Sequence, residues 1–187
     1  MINILFSSAG RRVELIQQFI KAKEEKGISG KIICADMNEL APALYFADSA
    51  YIVPPIKDKN YINVLQDICK KERISLIIPT IDTELELLAS NLDSFRSIGT
   101  DILISSIDTV KIANNKMETF KFFKSIGVKT PNSYDRNTTF CGSFPCFIKP
   151  IAGSASINTF KVRNEEELEF FKNYIGNYII QEFIEGE

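Results

Sequence analysis

The segment CFIKPIAGSAS, residues 146–156, places a lysine at the end of an apolar run and follows it with a loop of small residues. The charge of Lys149 at the end of a buried strand must be solvated or paired. Small residues let backbone N–H groups approach an anion closely, and a neighbouring lysine supplies a point charge for phosphate. The pattern favours a phosphate site, and the alternative is a plain hairpin whose lysine extends into solvent. The candidate loop residues are Gly153, Ser154, Ala155 and Ser156.

The last apolar segment, YIIQEFIEGE, ends in residues suited to recognising a base. A strand that leads into an extended hinge can offer a backbone carbonyl and a backbone amide to the edge of an adenine, and a nearby carboxylate can hold ribose hydroxyls. The candidates are Gln181, Glu182, Phe183 and Ile184. The alternative is an amphipathic strand with a solvated acidic end.

Two further loops carry weaker candidates for contacts with substrate. In SSAGRRVEL, the backbone around Ser8 and Gly10 can meet an anion at a helix N-terminus, with Arg11 beside it. In PTIDTELELL, Asp82 follows a strand at the sheet edge where ligands bind in open α/β folds. Thr83 and Glu86 in this segment have the spacing of a capping box.

A dinucleotide-binding domain is the main alternative for the N-terminal half. Asp36 follows the second strand, where such a fold holds a ribose. Only one glycine is present in the first turn, however, so the G-x-G-x-x-G fingerprint is absent. We therefore expect Asp36, like Asp48, to be a solvated loop acid.

Composition excludes several classes of function. The 187 residues are 45% hydrophobic and 25% charged, with a net charge of -2, which predicts a globular protein without a general attraction to nucleic acid or anionic membranes. The chain has no histidine, which removes a Ser-His-Asp or Cys-His mechanism, and its four cysteines have no zinc-site spacing. No segment has the roughly 20 apolar residues of a membrane span. We expect a cytoplasmic protein with free thiols, in which Cys34 and Cys69 are core residues.

Alternating strands and helices predict an α/β architecture in the first part of the chain. Continuous apolar runs at 2–6, 31–35, 76–79 and 101–105 suit strands buried on both faces. The segments that follow the first three runs have helical spacing, which predicts a doubly wound parallel sheet.

The pattern changes beyond residue 112, where we place a domain boundary. Helical spacing from Val110 to Phe123 predicts one helix that ends at Gly127. FPCFIKP, SINTFKV and NYIIQEFIEGE predict strands, and Asn164 with Glu167 marks the start of a helix between the last two. Nothing follows the last strand to cover it, so we expect it to be exposed.

The ordered set NNK, GVKTP, FPCFIKPIAGSAS and IIQEFIEGE resembles the ATP-grasp superfamily, and in particular its proteins like the large subunit of carbamoyl-phosphate synthase. NILFSSAGRRVELI, ADMNELAPALYFAD and IIPTIDTELELLA resemble the domain that precedes the ATP-grasp fold in that group. The resemblance implies a Rossmann-like pre-ATP-grasp domain at 1–112. It also implies the first, α+β part of an ATP-grasp domain at 113–187.

The resemblance assigns roles to matching positions. Lys149 matches the strand-end cation at the α- and β-phosphates, and Lys116 matches the basic residue that enters the nucleotide site from the preceding helix. Residues 153–156 match the loop that folds over the phosphates, although Ala155 and Asn158 stand where glycines are frequent. Glu182 and Ile184 match the hinge at adenine, and Glu187 lies near the ribose-binding carboxylate.

The resemblance implies an ATP-dependent ligase that activates a carboxylate or bicarbonate as an acyl phosphate for attack by an amine or other nucleophile. The Mg²⁺ ligands of such enzymes lie in the second half of the fold, so we expect none in this chain and no ATP turnover by the chain alone. A homo-oligomer, or a partner that covers the last strand, is expected. A non-catalytic nucleotide-binding or interaction fragment, and a NAD-binding domain, remain as alternatives.

Overall fold

A computed structural model describes residues 1–185. The chain divides into two compact units, of which the first is Met1–Ile107 and the second begins at Asp108. None of the described helices is long and apolar enough to cross a membrane.

The first unit is built on a five-stranded parallel sheet of order β3-β2-β1-β4-β5. Its strands are β1 (Asn3–Ser7), β2 (Ile32–Asp36), β3 (Ser49–Ile52), β4 (Ile74–Pro79) and β5 (Asp101–Ile102). Its helices are α1 (Val13–Glu25), α2 (Tyr61–Glu72), α3 (Leu85–Ser90) and α4 (Leu92–Arg96). The predicted α/β class and doubly wound sheet are confirmed. Strand β3 was not predicted, because its four residues alternate between partly buried and exposed.

Apolar cores lie on both faces of this sheet. One contains Leu5 and Ile77 with side chains of α2, α3 and α4, and the other contains Phe6 and Ile78 with side chains of α1. Neighbouring residues on each central strand thus enter opposite cores, which explains the continuous apolar runs. Cys34 and Cys69 are buried as predicted, and burial raises the pKa of each thiol to about 12.

The second unit contains a four-stranded antiparallel sheet of order β6-β9-β7-β8. Its strands are β6 (Ser133–Asp135), β7 (Cys146–Pro150), β8 (Phe160–Val162) and β9 (Tyr178–Glu182). The expectation of an exposed last strand is wrong, because β9 pairs with β6 on one side and β7 on the other. Both backbone edges of β9 are therefore paired within residues 1–185. The backbone of β9 forms hydrogen bonds with strands that lie much earlier in the chain, and the sequence of β9 contains no local pattern that predicts this pairing.

The remaining α-helices are α5 (Ile107–Asn114), α6 (Lys116–Ser125) and α7 (Glu165–Ile175), and short 3₁₀ helices lie at Pro42–Phe46 and Asp82–Glu84. The single helix predicted from Val110 to Phe123 is interrupted at Asn115, which is extended, and its side chain accepts hydrogen bonds from Met117 N and Glu118 N. Asparagine favours caps over helix interiors for this reason. The interruption makes Lys116 the first residue of α6.

The predicted start of the last helix is confirmed. Asn164 Oδ1 accepts a hydrogen bond from Glu167 N at 2.9 Å, and Glu167 Oε2 accepts one from Arg163 N at 2.8 Å. Helix α7 packs against one face of the antiparallel sheet through Leu168, Phe171 and Ile175.

Candidate functional site

The register of the antiparallel sheet places two lysines on one face. Phe147 of β7 lies opposite Lys161 of β8 and opposite Gln181 of β9, and Lys149 lies opposite Ile179. Because side chains alternate along a strand, Phe147, Lys149, Lys161 and Gln181 all face the same way. The other face belongs to the core with α7 and carries Cys146, Ile148, Val162 and Ile180.

Lys116 and Lys149 line one cavity of about 200 Å³, together with Gly153, Ser154 and Ser156. The backbone holds this arrangement, since Lys116 N donates a hydrogen bond to Ile151 O at 2.9 Å. The side chain reaches further along the same loop, where Lys116 Nζ donates to Gly153 O at 2.9 Å. The structure thus brings Lys116 to Lys149 and the loop after it, which follow more than 30 residues later in the sequence.

The two ammonium groups have no counter-charge in the described part of the chain. None of the ion pairs found there includes either lysine. Desolvation, together with the charge of Lys116, lowers the pKa of Lys149, and desolvation lowers the pKa of Lys116. Both shifts mean that the fold disfavours the charged lysines, and an anion in the cavity would offset this.

The loop beside the lysines holds non-glycine residues in the left-handed region. Ala155, Ser156 and Asn158 have φ values of 57°, 55° and 55°, and Gly153 has a φ of 116°. This conformation costs about 1–2 kcal/mol for an ordinary L-residue, and less for asparagine. Ala155 and Asn158 thus adopt a backbone conformation that favours glycine, although neither residue is a glycine.

The predicted hinge lies at the end of β9. Glu182 N donates to Asn132 O at 2.9 Å, and Gln181 Nε2 donates to Ser133 Oγ at 2.8 Å. Within residues 1–185 the backbone N–H of Ile184 has no hydrogen-bond acceptor. Glu187, the predicted ribose ligand, lies outside the described residues.

The register also separates the hinge from the lysines. Lys149 is paired with Ile179 and Glu182 is paired with Cys146, so the two positions are three residues apart along the strands. At a rise of about 3.4 Å per residue, this is about 10 Å. A site that spans both ends is therefore elongated along β7 and β9.

Sequence reasoning missed Lys161, which shares the lysine-bearing face near the hinge. Its Nζ lies 3.7 Å from the centroid of the Phe183 ring, and that ring lies 5.3 Å from the ring of Phe147. The signal for the orientation of Lys161 was the alternation of FKV, in which Val162 is buried. The contact with Phe183 joins residues from two strands and has no such signal.

Two of the predicted substrate-binding residues in the first unit form hydrogen bonds with neighbouring carboxylates. Ser8 Oγ donates to Glu84 Oε2 at 3.1 Å, and Gly10 N donates to Asp36 Oδ2 at 2.7 Å. The expectation of a solvated Asp36 is wrong, because this residue is only 8% exposed and its second oxygen accepts from Asn38 N. Arg11 and Asp82, the other two predicted substrate-binding residues, are exposed.

Glu84, which the sequence places with Asp82 after a strand, is a buried carboxyl group, and its burial was not predicted. It is 0% exposed and accepts hydrogen bonds from Ser8 Oγ, Tyr61 OH and Thr80 N. Burial raises the pKa of Glu84, and the hydrogen bonds from Tyr61 and Thr80 oppose the shift. The capping box predicted for Thr83 is absent, because α3 begins at Leu85 and Glu84 precedes it without a side-chain cap.

A larger cavity of about 400 Å³ also lies in the second unit, beside Tyr134, Cys141 and Glu182. None of its lining residues is a lysine or arginine. Two other cavities of this unit, of about 650 Å³ and 350 Å³, contain basic residues, but glutamates line both of them as well. The cavity with Lys116 and Lys149 has no acidic residue in its lining and is therefore the better candidate for an anionic ligand.

Family models match both parts of the chain. Residues 4–103 match the PylC-like N-terminal domain, and residues 113–187 match an ATP-grasp domain. The chain belongs to the ATP-grasp superfamily, and its N-terminal part belongs to the PylC-like family.

Curated relatives are similar over nearly all of this chain. A 3-methyl-D-ornithine–L-lysine ligase of Methanosarcina barkeri is 24% identical over 92% of the chain and 43% of its own length. A formate-dependent phosphoribosylglycinamide formyltransferase of Bacteroides fragilis is 27% identical over 98% of the chain and 48% of its own length. The chain thus spans about half the length of these relatives.

Solved structures share the fold. An L-amino acid ligase from Bacillus licheniformis superposes with a TM-score of 0.75 at 15% identity, over 100% of this chain and 45% of that protein. An N5-carboxyaminoimidazole synthetase from Staphylococcus aureus, complexed with ADP, superposes with a TM-score of 0.72 at 15% identity. This superposition covers 100% of this chain and 48% of that protein.

Proposed function

We propose that residues 113–187 form one side of the ATP site of an ATP-grasp ligase, and that residues 1–112 form its pre-ATP-grasp domain. The observation that carries this proposal is the convergence of Lys116 and Lys149, without a carboxylate partner in the described residues, beside a loop of small residues. Two unpaired ammonium groups suit a polyphosphate, which carries several negative charges in a small volume.

The separation of about 10 Å between Lys149 and Glu182 supports a nucleotide that lies along the strands. The triphosphate would contact the lysines and the loop from Gly153 to Ser156. The adenine would meet the carbonyl of Glu182 and the N–H of Ile184, which is unused within residues 1–185. Glu182 N already donates to Asn132 O, so the carbonyl and not the amide of this residue is available to the base.

In the complete enzyme, a carboxylate or bicarbonate oxygen would attack the γ-phosphorus of ATP, which forms an acyl phosphate and releases ADP. An amine or other nucleophile would then attack the acyl carbon and release phosphate. Lys116 and Lys149 would neutralise charge on the phosphates during the first step. The two curated relatives, a ligase and a formyltransferase, are consistent with this class of chemistry.

Residues 1–185 present no group of three acidic or thiol side chains that could hold a metal ion. Mg²⁺ at a nucleotide is usually held by one or two carboxylates together with the phosphates. The lysine cavity has no carboxylate in its lining and does not fit such a site, so we assign no step to the metal here. We propose that the ligands for Mg²⁺ come from sequence corresponding to the other half of the relatives, and that this chain alone does not turn over ATP. A measured rate of several turnovers per second with Mg²⁺ would contradict this.

The alternative of a NAD-binding domain receives no support from Asp36. Its carboxylate is nearly buried and binds the backbone of Gly10 and Asn38, so it is not presented to a ribose. Thermal unfolding distinguishes the two proposals, because a ligand at about 100 times its Kd stabilises a protein by about 2.7 kcal/mol. We expect ATP or ADP, and not NAD, to raise the Tm.

Three variants test the site directly. Lys149→Met and Lys116→Met each remove one charge and should weaken ADP binding about tenfold or more, as measured by calorimetry. Lys129→Met is the matched control, because Lys129 is exposed and lies outside the lysine cavity. Equal ADP affinity in all three variants would refute the proposed site.

A further inference from the structure

Lys161 occupies the end of the lysine-bearing face that is nearer to the hinge. It is the central residue of β8 and lies opposite Phe147, which is two residues before Lys149 on β7. Two residues of strand correspond to about 7 Å. Lys161 therefore lies beside the predicted base position and away from the predicted phosphate position.

The ammonium of Lys161 contacts a ring and no carboxylate. Its Nζ lies 3.7 Å from the centroid of Phe183, and it takes part in none of the ion pairs of residues 1–185. The quadrupole of an aromatic ring attracts a lysine ammonium that lies over its face. At an exposed site this attraction changes an equilibrium constant severalfold. The ring of Phe183 is also in contact with Phe147 at 5.3 Å between centroids.

Phe183 joins β9 to the residue that carries the free hinge amide. Glu182, before it, is held by its pairing with Cys146 and by hydrogen bonds with Asn132. Ile184, after it, donates no backbone hydrogen bond within residues 1–185. The contacts of the Phe183 side chain with Phe147 and Lys161 therefore act on the step from β9 to Ile184.

We propose that Lys161 is a positioning residue for recognition of the nucleobase: it holds Phe183 against the sheet and so orients the Ile184 N–H, next to the strand-bound Glu182 carbonyl, for the edge of the base. This inference rests on the proposed function and adds a residue to its site. It differs from a role for Lys161 as a third phosphate-binding cation, which would make its effect depend on the phosphates of the ligand.

The test compares Lys161→Met and Lys161→Arg with the unaltered chain, using adenosine, ATP and inosine triphosphate. Inosine triphosphate carries an oxygen where adenine has its exocyclic amine, so it cannot donate a hydrogen bond to the Glu182 carbonyl. We expect Lys161→Met to weaken adenosine and ATP equally, by about three- to fivefold, and to weaken inosine triphosphate less. Lys161→Arg should retain the affinities and the preference for ATP, because a guanidinium also binds an aromatic face.

A second measurement does not need a ligand. In the ¹⁵N-labelled chain, the backbone amide of Ile184 should become more mobile on the picosecond to nanosecond timescale in Lys161→Met, and its heteronuclear NOE should fall. The amide of Ile180, in the middle of β9, serves as the internal control and should not change.

Four results would overturn the inference. The first is a loss of ATP affinity without a loss of adenosine affinity, which would make Lys161 a phosphate ligand. The second is an unchanged NOE at Ile184 together with unchanged affinities. The third is an unaltered chain that binds neither ATP nor adenosine, which would remove the proposed function as well. Binding that is lost in Lys149→Met and insensitive to Lys161→Met would overturn this inference and leave the proposed function standing.

Discussion

The ammonium of Lys116 donates a hydrogen bond to the carbonyl oxygen of Gly153 at 2.9 Å, whereas Lys149, in the same cavity, has no such partner in the described residues. Lys116 therefore has a structural contact in addition to its proposed contact with phosphate. The fold disfavours the charge of Lys149, and no hydrogen bond or ion pair in the described residues compensates for this. This difference leads to the first prediction.

Replacing Lys149 by methionine should stabilise the chain in the absence of nucleotide while it weakens nucleotide binding. The substitution keeps the length of the side chain and removes a partly desolvated charge that Lys116 repels. We expect a gain of about 0.5–1 kcal/mol in the free energy of unfolding at pH 7, measured by urea denaturation. Lys116→Met should gain less, because it also loses the hydrogen bond to Gly153. A Lys149→Met variant less stable than the unaltered chain would show that the lysine is already satisfied.

The gain should depend on pH. The folded-state pKa of Lys149 is below its ordinary value of 10.5, so the unfolded chain binds more protons between these two values. Stability contributed by this group therefore rises as the pH rises through the folded-state pKa towards 10.5. The advantage of Lys149→Met over the unaltered chain should accordingly shrink between pH 7 and pH 10.5. A difference that stays constant over this range would contradict a depressed pKa.

The local pattern of residues 146–156 predicted Lys149 and the loop of the candidate site, whereas Lys116, and its place in the same site, followed only from the resemblance to the ATP-grasp superfamily. The sequence did not predict the break in the helix at Asn115, which makes Lys116 the first residue of α6. Two adjacent asparagines at 114–115 were a signal for a cap, but the apolar spacing around them continued as in one helix. A period of apolar residues can thus continue through two helices that a capping residue separates.

Other differences arise where the deciding contact is distant in sequence. Glu84 was one of several acids in a polar stretch, and only the fold shows that it accepts hydrogen bonds from Ser8 and Tyr61. Strand β9 looked unpaired because its neighbours, β6 and β7, precede it by tens of residues. Patterns of 2.0 and 3.6 residues identify elements, but they carry no information about which elements become neighbours.

The cap of α6 gives the second site-directed prediction. Asn115→Ala removes the acceptor for Met117 N and Glu118 N and should cost about 1 kcal/mol in the free energy of unfolding. Asn115→Asp keeps an acceptor at the same position and is the matched control. Because Lys116 is the first residue of α6, Asn115→Ala should also weaken ADP binding. Loss of stability without any loss of ADP affinity would mean that the cap does not position Lys116.

Glu84 should make stability depend on pH in the acid range. Its folded-state pKa is above its ordinary value of 4.5, so the stability that the protonated group contributes is present below pH 4.5 and is lost as the pH rises through the raised pKa. Glu84→Gln cannot titrate and should lack this loss. The difference in the free energy of unfolding between the variant and the unaltered chain should therefore move in favour of Glu84→Gln as the pH rises from 4.5. Urea denaturation at a series of pH values measures this difference, and a difference that stays constant above pH 4.5 would contradict a raised pKa of Glu84.

Glycine substitutions in the loop beside the lysines should separate strain from flexibility. Ala155→Gly removes a side chain from a residue with a φ of 57° and should stabilise the chain by about 1 kcal/mol, because the relief of the left-handed conformation exceeds the entropy that glycine loses on folding. Asn158→Gly should gain less, since asparagine tolerates this region better. Ala152→Gly is the control in the same loop: it lies outside the left-handed positions and should destabilise the chain by about 0.5–1 kcal/mol. Chemical denaturation of the three variants measures the order directly. If Ala155→Gly were destabilising to the same extent as Ala152→Gly, the left-handed conformation would not be the one that the loop adopts in solution.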